Sequence, residues 1–211
     1  MNTYENTRFG NNIFNNNTTN FNNTCSVYAI SNKNDKTYIL AIGRLSNISL
    51  AINKNPNIIN RIEIIWLGGN SLEYGNNKEF NFMQDTTATL NVVNSNANMT
   101  IIPAKNVAID LIIRKEELEQ RLDMNKEISQ YLCERFVNDS YYGIKNERVI
   151  WDISVIAYLV NKDWFETKEI KGLSLSEDLQ YYTNSGTATK SIVEKLDNDK
   201  IYDDLFEVFN K

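Results

Sequence analysis

The sequence predicts an α/β fold with a mainly parallel sheet flanked by helices. Two short apolar runs, at residues 37–42 and 62–67, are rich in Ile and contain no charge apart from Glu63, a pattern typical of strands buried on both faces. Segments with helical spacing separate these runs from each other and from a third apolar run at 100–102. Because strands that alternate with helices usually pair in parallel, we expect a parallel sheet.

Length and composition indicate a globular protein with one main domain. The chain has 211 residues and a net charge of -5. Its length, with 42% hydrophobic residues, is enough to build a substantial core. There is no cluster of Lys and Arg to neutralise phosphates, so we expect no nucleic-acid partner. No apolar run reaches the ~18 to 20 residues of a membrane helix, so we expect no membrane partner either.

The absence of histidine and the scarcity of cysteine exclude several kinds of catalytic and metal-binding site. Without histidine, serine–histidine catalysis and histidine metal ligands are excluded. Cys25 and Cys133 are too few and too far apart for a disulfide framework or a zinc site. The first residues are polar, unlike a secretory signal, so the expected location is cytoplasmic.

The first 35 residues are predicted to form an arm apart from the domain at 36–211. Residues 2–24 contain ten asparagines, and such a low-complexity composition is typical of disordered segments. The alternative interpretation, an Asn-rich interaction segment, has no specific motif to support it.

Capping and breaking residues delimit the elements around the first two runs. Gly43 closes the first run, and Ser46 is expected to cap a helix that carries Ile48 and Ile52 on its apolar face. Pro56 separates this helix from the second run.

The stretch that follows the second run has the layout of a ligand site. Gly68-Gly69 lets the chain turn sharply and lets another group approach closely. Residues 78–82 alternate polar and apolar, which in an extended segment puts Glu79 and Asn81 on one side. Asp85 then stands where the N-cap of a helix would be. Open α/β sheets bind ligands at such carboxyl ends of strands.

The remaining elements are predicted from their apolar periodicity. They are a helix at 111–137 interrupted near Met124-Asn125, a deeply buried helix at 150–160, a hairpin within 165–182, a strand at 191–196 and an amphipathic helix at 199–209.

Three segments of the chain together resemble a known enzyme family. They are AIGRLSN at 41–47, WLGGNSLEYGNNKEFNFMQD at 66–85 and VIWD at 149–152. In this order they resemble the nucleoside hydrolases, the calcium-dependent enzymes of purine and pyrimidine salvage that cleave the N-glycosidic bond of ribonucleosides. The resemblance begins at residue 38 and covers the later portion of the family's domain, so it implies a nucleoside hydrolase-like fold that is incomplete at its amino terminus.

A polar cluster in the second segment suits a sugar. A carboxylate accepts hydrogen bonds from hydroxyls, and an Asn amide both donates and accepts, so Asn76, Glu79 and Asn81 together fit the vicinal hydroxyls of ribose. The resemblance implies that Asn76 and Glu79 hold the 5'-hydroxyl end and Asn81 the 2'- and 3'-hydroxyls. The alternative is a solvated loop in an Asn-rich chain.

The first and third segments carry the implied metal and base contacts. The resemblance makes the backbone carbonyl of Ser46 and the side chain of Asp152 calcium ligands, and oxygen is the ligand that calcium prefers. The alternatives are plain helix caps at both positions. Trp151 stands where many members carry a His tied to departure of the nucleobase, and its ring face can stack on a flat base.

The sequence departs from the family at its amino terminus. Members begin with a strand that ends in an Asp-x-Asp-x-x-x-Asp-Asp cluster, which supplies most calcium ligands and the general base. Residues 2–36 contain only Glu5 and Asp35 as acids, and Ser46 with Asp152 falls short of the ~6 to 8 oxygens that calcium takes. We therefore expect a nucleoside hydrolase-type protein with impaired activity.

Two other interpretations stay open. One is a non-catalytic remnant that binds ribose or nucleosides, or one piece of a split enzyme; the other is a structural protein without a ligand. The expected partner is a small ribonucleoside, together with either a second copy of the chain or a complementing amino-terminal fragment.

Overall fold

A computed structural model describes residues 27–31, 36–138 and 146–211. In this part of the chain one sheet has six strands, in the spatial order β1 (Val27–Ser31), β2 (Thr37–Ala41), β3 (Ile62–Leu67), β4 (Asn98–Ile102), β10 (Thr189–Leu196) and β7 (Phe165–Lys171). Strands β2, β3, β4 and β10 are parallel, and β1 and β7 pair antiparallel at the two edges. The predicted mainly parallel sheet is confirmed.

Two short antiparallel pairs and a set of helices complete the fold. The pairs are β5 (Ile112–Arg114) with β6 (Glu147–Val149), and β8 (Leu173–Leu175) with β9 (Tyr181–Thr183). The helices are α1 (Ser46–Lys54), α2 (Phe80–Met83), α3 (Thr86–Val93), α4 (Lys115–Arg121), α5 (Glu127–Asn138), α6 (Ile153–Val160) and α7 (Asn198–Asn210). None of these helices combines the length and apolar character needed to cross a bilayer.

The central strand β3 is buried along its whole length. Because side chains alternate across a strand, its residues contribute to two separate apolar layers. Ile64 and Trp66 belong to the layer that contains the buried residues of α1 and α3. Ile65 and Leu67 belong to the layer that contains those of α6 and α7. The run at 62–67 is therefore apolar apart from Glu63, because helices cover both faces of the sheet.

The two edge strands of the sheet are β1 and β7. Strand β1 lies within the segment predicted as an arm and pairs with β2 through its backbone. The boundary at residue 35 stays a prediction, although five residues on its amino-terminal side belong to the sheet.

Strand β7 exposes Glu166, Lys168, Glu169 and Lys171. Charged side chains on an edge strand discourage pairing with another chain.

The alternating segment at 78–82 is not extended as predicted. Residues Phe80–Met83 form the short helix α2, with Glu79 at its N-cap. The helical turn buries both Asn81 and Phe82 and leaves Phe80 75% exposed. The Glu79 carboxylate accepts from the N–H groups of Asn81 and Phe82, so local capping outweighs the alternation.

Two of the later helices also differ from their predictions. The helix expected to start at residue 111 is preceded by β5, because residues 112–114 pair with β6. Its predicted interruption near Met124 is confirmed, since α4 ends at Arg121 and α5 begins at Glu127. Helix α6 is not buried all round, because only one face packs on the sheet; Ile156 and Val160 on the other face are 55% and 57% exposed.

Candidate functional site

The predicted site residues come from three segments that lie at the carboxyl edge of the parallel strands. Ser46 begins the helix after β2, and residues 76–81 follow β3. Residues 151–152 precede α6, which runs back toward the opposite edge: Lys162, just beyond its end, donates to Glu63 near the start of β3 at 3.2 Å. The start of α6 therefore lies at the carboxyl edge. Convergence of all these side chains on one pocket stays a prediction.

The carboxylate of Glu79 is held by three backbone amides. Its Oε1 accepts from the N–H of Asn81 at 2.9 Å, and its Oε2 accepts from Gly69 at 3.1 Å and Phe82 at 3.0 Å. Burial raises the pKa of Glu79, and these amides, together with that of Phe80, counteract the rise only in part. A carboxylate has about four acceptor sites, so about one remains for a further donor.

Gly69 makes this arrangement possible. Its φ of +71° is a left-handed conformation that glycine adopts without strain. This turn presents the Gly69 N–H to Glu79, so the glycine after β3 and the helix cap are parts of one structure.

The side chain of Asn81 is buried and uses only part of its hydrogen-bonding capacity within the protein. It is 8% exposed, and its Nδ2 donates to the carbonyl of Leu67, the last residue of β3, at 3.0 Å. Its Oδ1 has no donor among the described residues. An amide that keeps one N–H and its oxygen unused can both donate to and accept from a sugar hydroxyl.

Two buried asparagines that the sequence patterns do not single out organise the loop between Gly69 and Glu79. The N–H of Asn70 donates to Oδ1 of Asn77 at 3.2 Å, and Nδ2 of Asn70 donates to the carbonyl of Asn76 at 2.9 Å. Asn76 itself is exposed and accepts from the N–H of Lys78 at 2.9 Å. Asn70 and Asn77 differ from the neighbouring Asn76 in being buried. The sequence contains so many asparagines that it does not predict which of them are buried.

Ser46 does not cap α1 as predicted. Leu45 occupies the cap position, and the Ser46 hydroxyl donates instead to Oδ2 of Asp85. The predicted N-cap role of Asp85 is confirmed, since its Oδ1 accepts from the N–H of Ala88 at 2.9 Å. Asp85 thus joins the beginnings of α1 and α3, a link between distant segments that local patterns do not contain.

Asp152 and Trp151 have contrasting surroundings. Asp152 is exposed, makes no capping hydrogen bond to α6, and receives no hydrogen bond from any described residue. Nearby protein atoms still desolvate its carboxylate and raise its pKa. Trp151 is half-buried and packs against the apolar layer on the α6 side of the sheet. Because Asp152 has no partner among the described residues and the neighbouring Trp151 ring is partly exposed, both groups are available to a ligand.

The described donors do not make a complete calcium site. No three His, Cys, Asp or Glu side chains within residues 36–138 and 146–211 lie together in a way that would hold a metal ion. The resemblance assigns two oxygens to calcium, the Ser46 carbonyl and the Asp152 carboxylate, against the ~6 to 8 that this ion takes.

Two solved structures share the fold of this chain. An inosine-uridine preferring nucleoside hydrolase from Bacillus anthracis is 18% identical with a TM-score of 0.63, and the match covers 83% of this chain. The plant nucleoside hydrolase PpNRh1 is 14% identical with a TM-score of 0.67, and the match covers 80% of this chain. In each case the matched region spans 61% of the relative.

Comparison at the sequence level identifies the family. No curated protein sequence matches the chain. The family model for the inosine-uridine preferring nucleoside hydrolases matches residues 9–203, which is nearly the whole chain and includes every predicted site residue. The chain therefore belongs to the inosine-uridine preferring nucleoside hydrolase family.

Proposed function

We propose that this chain binds the ribose of a ribonucleoside at the carboxyl edge of its sheet and cleaves the N-glycosidic bond, to ribose and free base, only slowly. The observation that carries the proposal is the pairing of Glu79 and Asn81 directly after β3. Both side chains are fixed by backbone groups, and both keep hydrogen-bonding capacity that no described residue uses.

The unused capacity matches what a sugar offers. Glu79 has about one acceptor site left, which suits one hydroxyl donor, and Asn81 has an acceptor and a donor left, which suits adjacent hydroxyls. We assign Glu79 and Asn76 to the 5'-hydroxyl end and Asn81 to the 2'- and 3'-hydroxyls. Because backbone contacts fix Glu79 and Asn81 beforehand, binding costs little ordering of these two side chains.

The nucleobase is assigned to Trp151. Its half-buried ring offers a face on which a flat base can stack. Tryptophan supplies no proton to a departing base as histidine does, so this chain stabilises the leaving group less well than members that carry His.

Slow cleavage follows from the acids that the sequence provides. The family reaction is attack of water on the anomeric carbon through an oxocarbenium-like transition state, with an aspartate removing a proton from the water. Glu79 is a poor substitute for that base because its role is to hold a sugar hydroxyl. Lack of a positioned general base costs ~10²- to 10⁴-fold in rate.

A second candidate function is a ribose-binding component that needs a partner for catalysis. The observation in its favour is that the chain spans 61% of each solved relative. A complementing amino-terminal fragment that carries the aspartate cluster, or a second copy of the chain, would supply the missing contacts. The expected setting is the cytoplasm, where Cys133, a buried free thiol, stays reduced.

The first experiment measures binding. Calorimetric titration of the purified protein with ribose and with inosine should show binding that Glu79→Gln weakens about tenfold or more, the expected cost of a charged hydrogen bond to a ligand. Glu73→Gln is the matched control, because Glu73 is exposed in the same loop. Absence of binding by the unmodified protein would overturn the proposal.

The second experiment measures cleavage. Release of free ribose from inosine and uridine, with calcium added, should be far slower than the median enzyme turnover of ~10 s⁻¹. Rapid turnover that Asp152→Ala abolishes would show that the chain obtains its catalytic acids elsewhere. A large gain on adding an amino-terminal fragment with the aspartate cluster would favour the second candidate.

A further inference from the structure

The hairpin β8–β9 is hydrogen-bonded to the loop between Gly69 and Glu79, which carries the candidate ribose site. Nδ2 of Asn77 donates to the carbonyl of Leu179 at 3.0 Å. On the other side, Asn94 accepts from the N–H of Leu175 at 2.7 Å and donates to its carbonyl at 2.9 Å. These contacts hold Tyr181, the first residue of β9, at a defined place against the site loop.

The Tyr181 hydroxyl lies against the backbone that holds Glu79. A Cβ built on Gly69 would stand 2.9 Å from this hydroxyl and 3.3 Å from Oδ1 of Asn77. The hydroxyl, the Asn77 amide and Gly69 therefore meet at one point. The N–H of the same Gly69 donates to Oε2 of Glu79 at 3.1 Å.

This hydroxyl is buried without a hydrogen-bond partner among the described residues. Leaving a buried hydroxyl unpaired is unfavourable, so its position calls for a functional explanation. Burial, followed by the negative charge of Glu79, raises the pKa of Tyr181, and Glu79 is the one charged group in the described part of the chain that acts on it. Tyr181 thus stays a neutral O–H donor within electrostatic reach of the Glu79 carboxylate.

We infer that Tyr181 is a positioning residue of the ribose site, whose hydroxyl supports the Glu79 carboxylate in the charged form and orientation that receive a sugar hydroxyl. The inference rests on the proposed function, since it gives Tyr181 a role in ribose binding. A hydroxyl dipole next to a carboxylate favours its charged form, and only the charged form of Glu79 keeps all its acceptor sites for the three amides and a ligand.

The test is Tyr181→Phe, which keeps the ring and removes the hydroxyl. Two matched controls are available. Tyr202→Phe removes another buried hydroxyl without a partner among the described residues, and the charge that acts on this hydroxyl is that of Glu117 instead of Glu79. Tyr182→Phe removes an exposed hydroxyl from the adjacent position in β9.

The first readout is the pKa of Glu79 in the ligand-free protein, followed by NMR of its carboxyl carbon. We expect Tyr181→Phe to raise this pKa relative to the unmodified protein, because the support for the charged form is lost. Tyr202→Phe and Tyr182→Phe should leave it unchanged. An unchanged titration of Glu79 in Tyr181→Phe would overturn the inference, whether or not ribose binds.

The second readout is ribose affinity above the pKa of Glu79. We expect Tyr181→Phe to weaken binding about 3- to 10-fold, because the O–H dipole that favours the charged form of Glu79 is lost, with the controls within twofold. Equal affinity of Tyr181→Phe and the unmodified protein would also overturn the inference. If the unmodified protein binds no ribose, the proposed function fails, and the Glu79 titration still decides whether Tyr181 supports the carboxylate.

Discussion

The indole ring of Trp66 fills the space that a side chain on Gly68 would occupy. A Cβ at Gly68 would lie 2.1 Å from Cζ2 of that ring. Trp66 is fully buried, donates from Nε1 to the carbonyl of Gly43 at 2.9 Å, and packs against Phe82 with ring centroids 5.9 Å apart. The two glycines after β3 therefore have different tasks, since Gly68 makes room for the ring and Gly69 makes the turn.

Gly68→Ala should lower the free energy of unfolding by about 3 kcal/mol, because the added methyl forces a buried ring to move. Gly75→Ala is the control. Gly75, unlike Gly68, has a positive φ, +84°, but nothing lies within 4 Å of an added Cβ, so its cost should be about 1 kcal/mol of backbone strain. Urea unfolding measures both, and equal costs would contradict the role assigned to the Trp66 ring.

Asn81→Ala and Asn76→Ala should separate stability from binding. Asn81→Ala leaves the buried Leu67 carbonyl without its donor, at a cost of about 1 to 3 kcal/mol in unfolding free energy. Asn76 is exposed, so Asn76→Ala should change stability by no more than about 0.5 kcal/mol. Both variants should bind ribose more weakly in calorimetry. Unchanged ribose affinity in Asn76→Ala, with the fold intact, would remove Asn76 from the proposed site.

Asp85→Ala should destabilise the protein by about 1 to 2 kcal/mol, because it removes the cap of α3 together with the acceptor for the Ser46 hydroxyl. Asp85→Asn keeps an oxygen acceptor and should cost clearly less. Ser46→Ala tests the link to α1 alone. Thermal unfolding ranks the three variants, and a larger loss in Asp85→Asn than in Asp85→Ala would contradict capping as the reason.

The carboxylate of Glu63 should make stability depend on pH at both ends of the range. Burial alone would raise the pKa of Glu63, but hydrogen bonds and charge from Lys36 and Lys162 outweigh burial and lower it. Burial would likewise lower the pKa of Lys162, and Glu63 raises it instead. The contribution of Glu63 is complete above its ordinary pKa of 4.5 and is lost as the pH falls through its lowered value. That of Lys162 is complete below 10.5 and is lost as the pH rises through its raised value.

Glu63→Gln should therefore flatten this pH dependence and cost about 1 to 2 kcal/mol at neutral pH. The cost stays moderate because the side chains of Lys36 and Lys162 are 40% and 52% exposed and water can solvate them. Glu166→Gln is the control, because Glu166 pairs with Lys195 at 3.3 Å on the surface, and its cost should be below about 0.5 kcal/mol. Urea unfolding from pH 3 to pH 11 measures both; an unchanged pH profile in Glu63→Gln would contradict the prediction.

Several elements can be predicted from the amino-acid sequence because their cause is local. The runs at 62–67 and 37–42 are mainly apolar on both sides, with Glu63 as their one charged residue, so burial in the centre of a sheet follows from their composition. The cap at Asp85 depends on an acceptor three residues ahead of the N–H of Ala88, and such spacing is visible in the chain. The family resemblance likewise depends on three short segments, 41–47, 66–85 and 149–152.

The contacts between polar groups, by contrast, depend on how distant segments fold together. Asn77 binds the carbonyl of Leu179, 102 residues away, and that contact brings Tyr181 to Gly69. The helical form of residues 80–83 depends on a carboxylate that also serves Gly69, so the alternating pattern could not reveal it. In a chain with so many asparagines, residue type does not distinguish a buried amide from a solvated one. Burial and partners depend on how distant segments pack, and that information is absent from any local pattern.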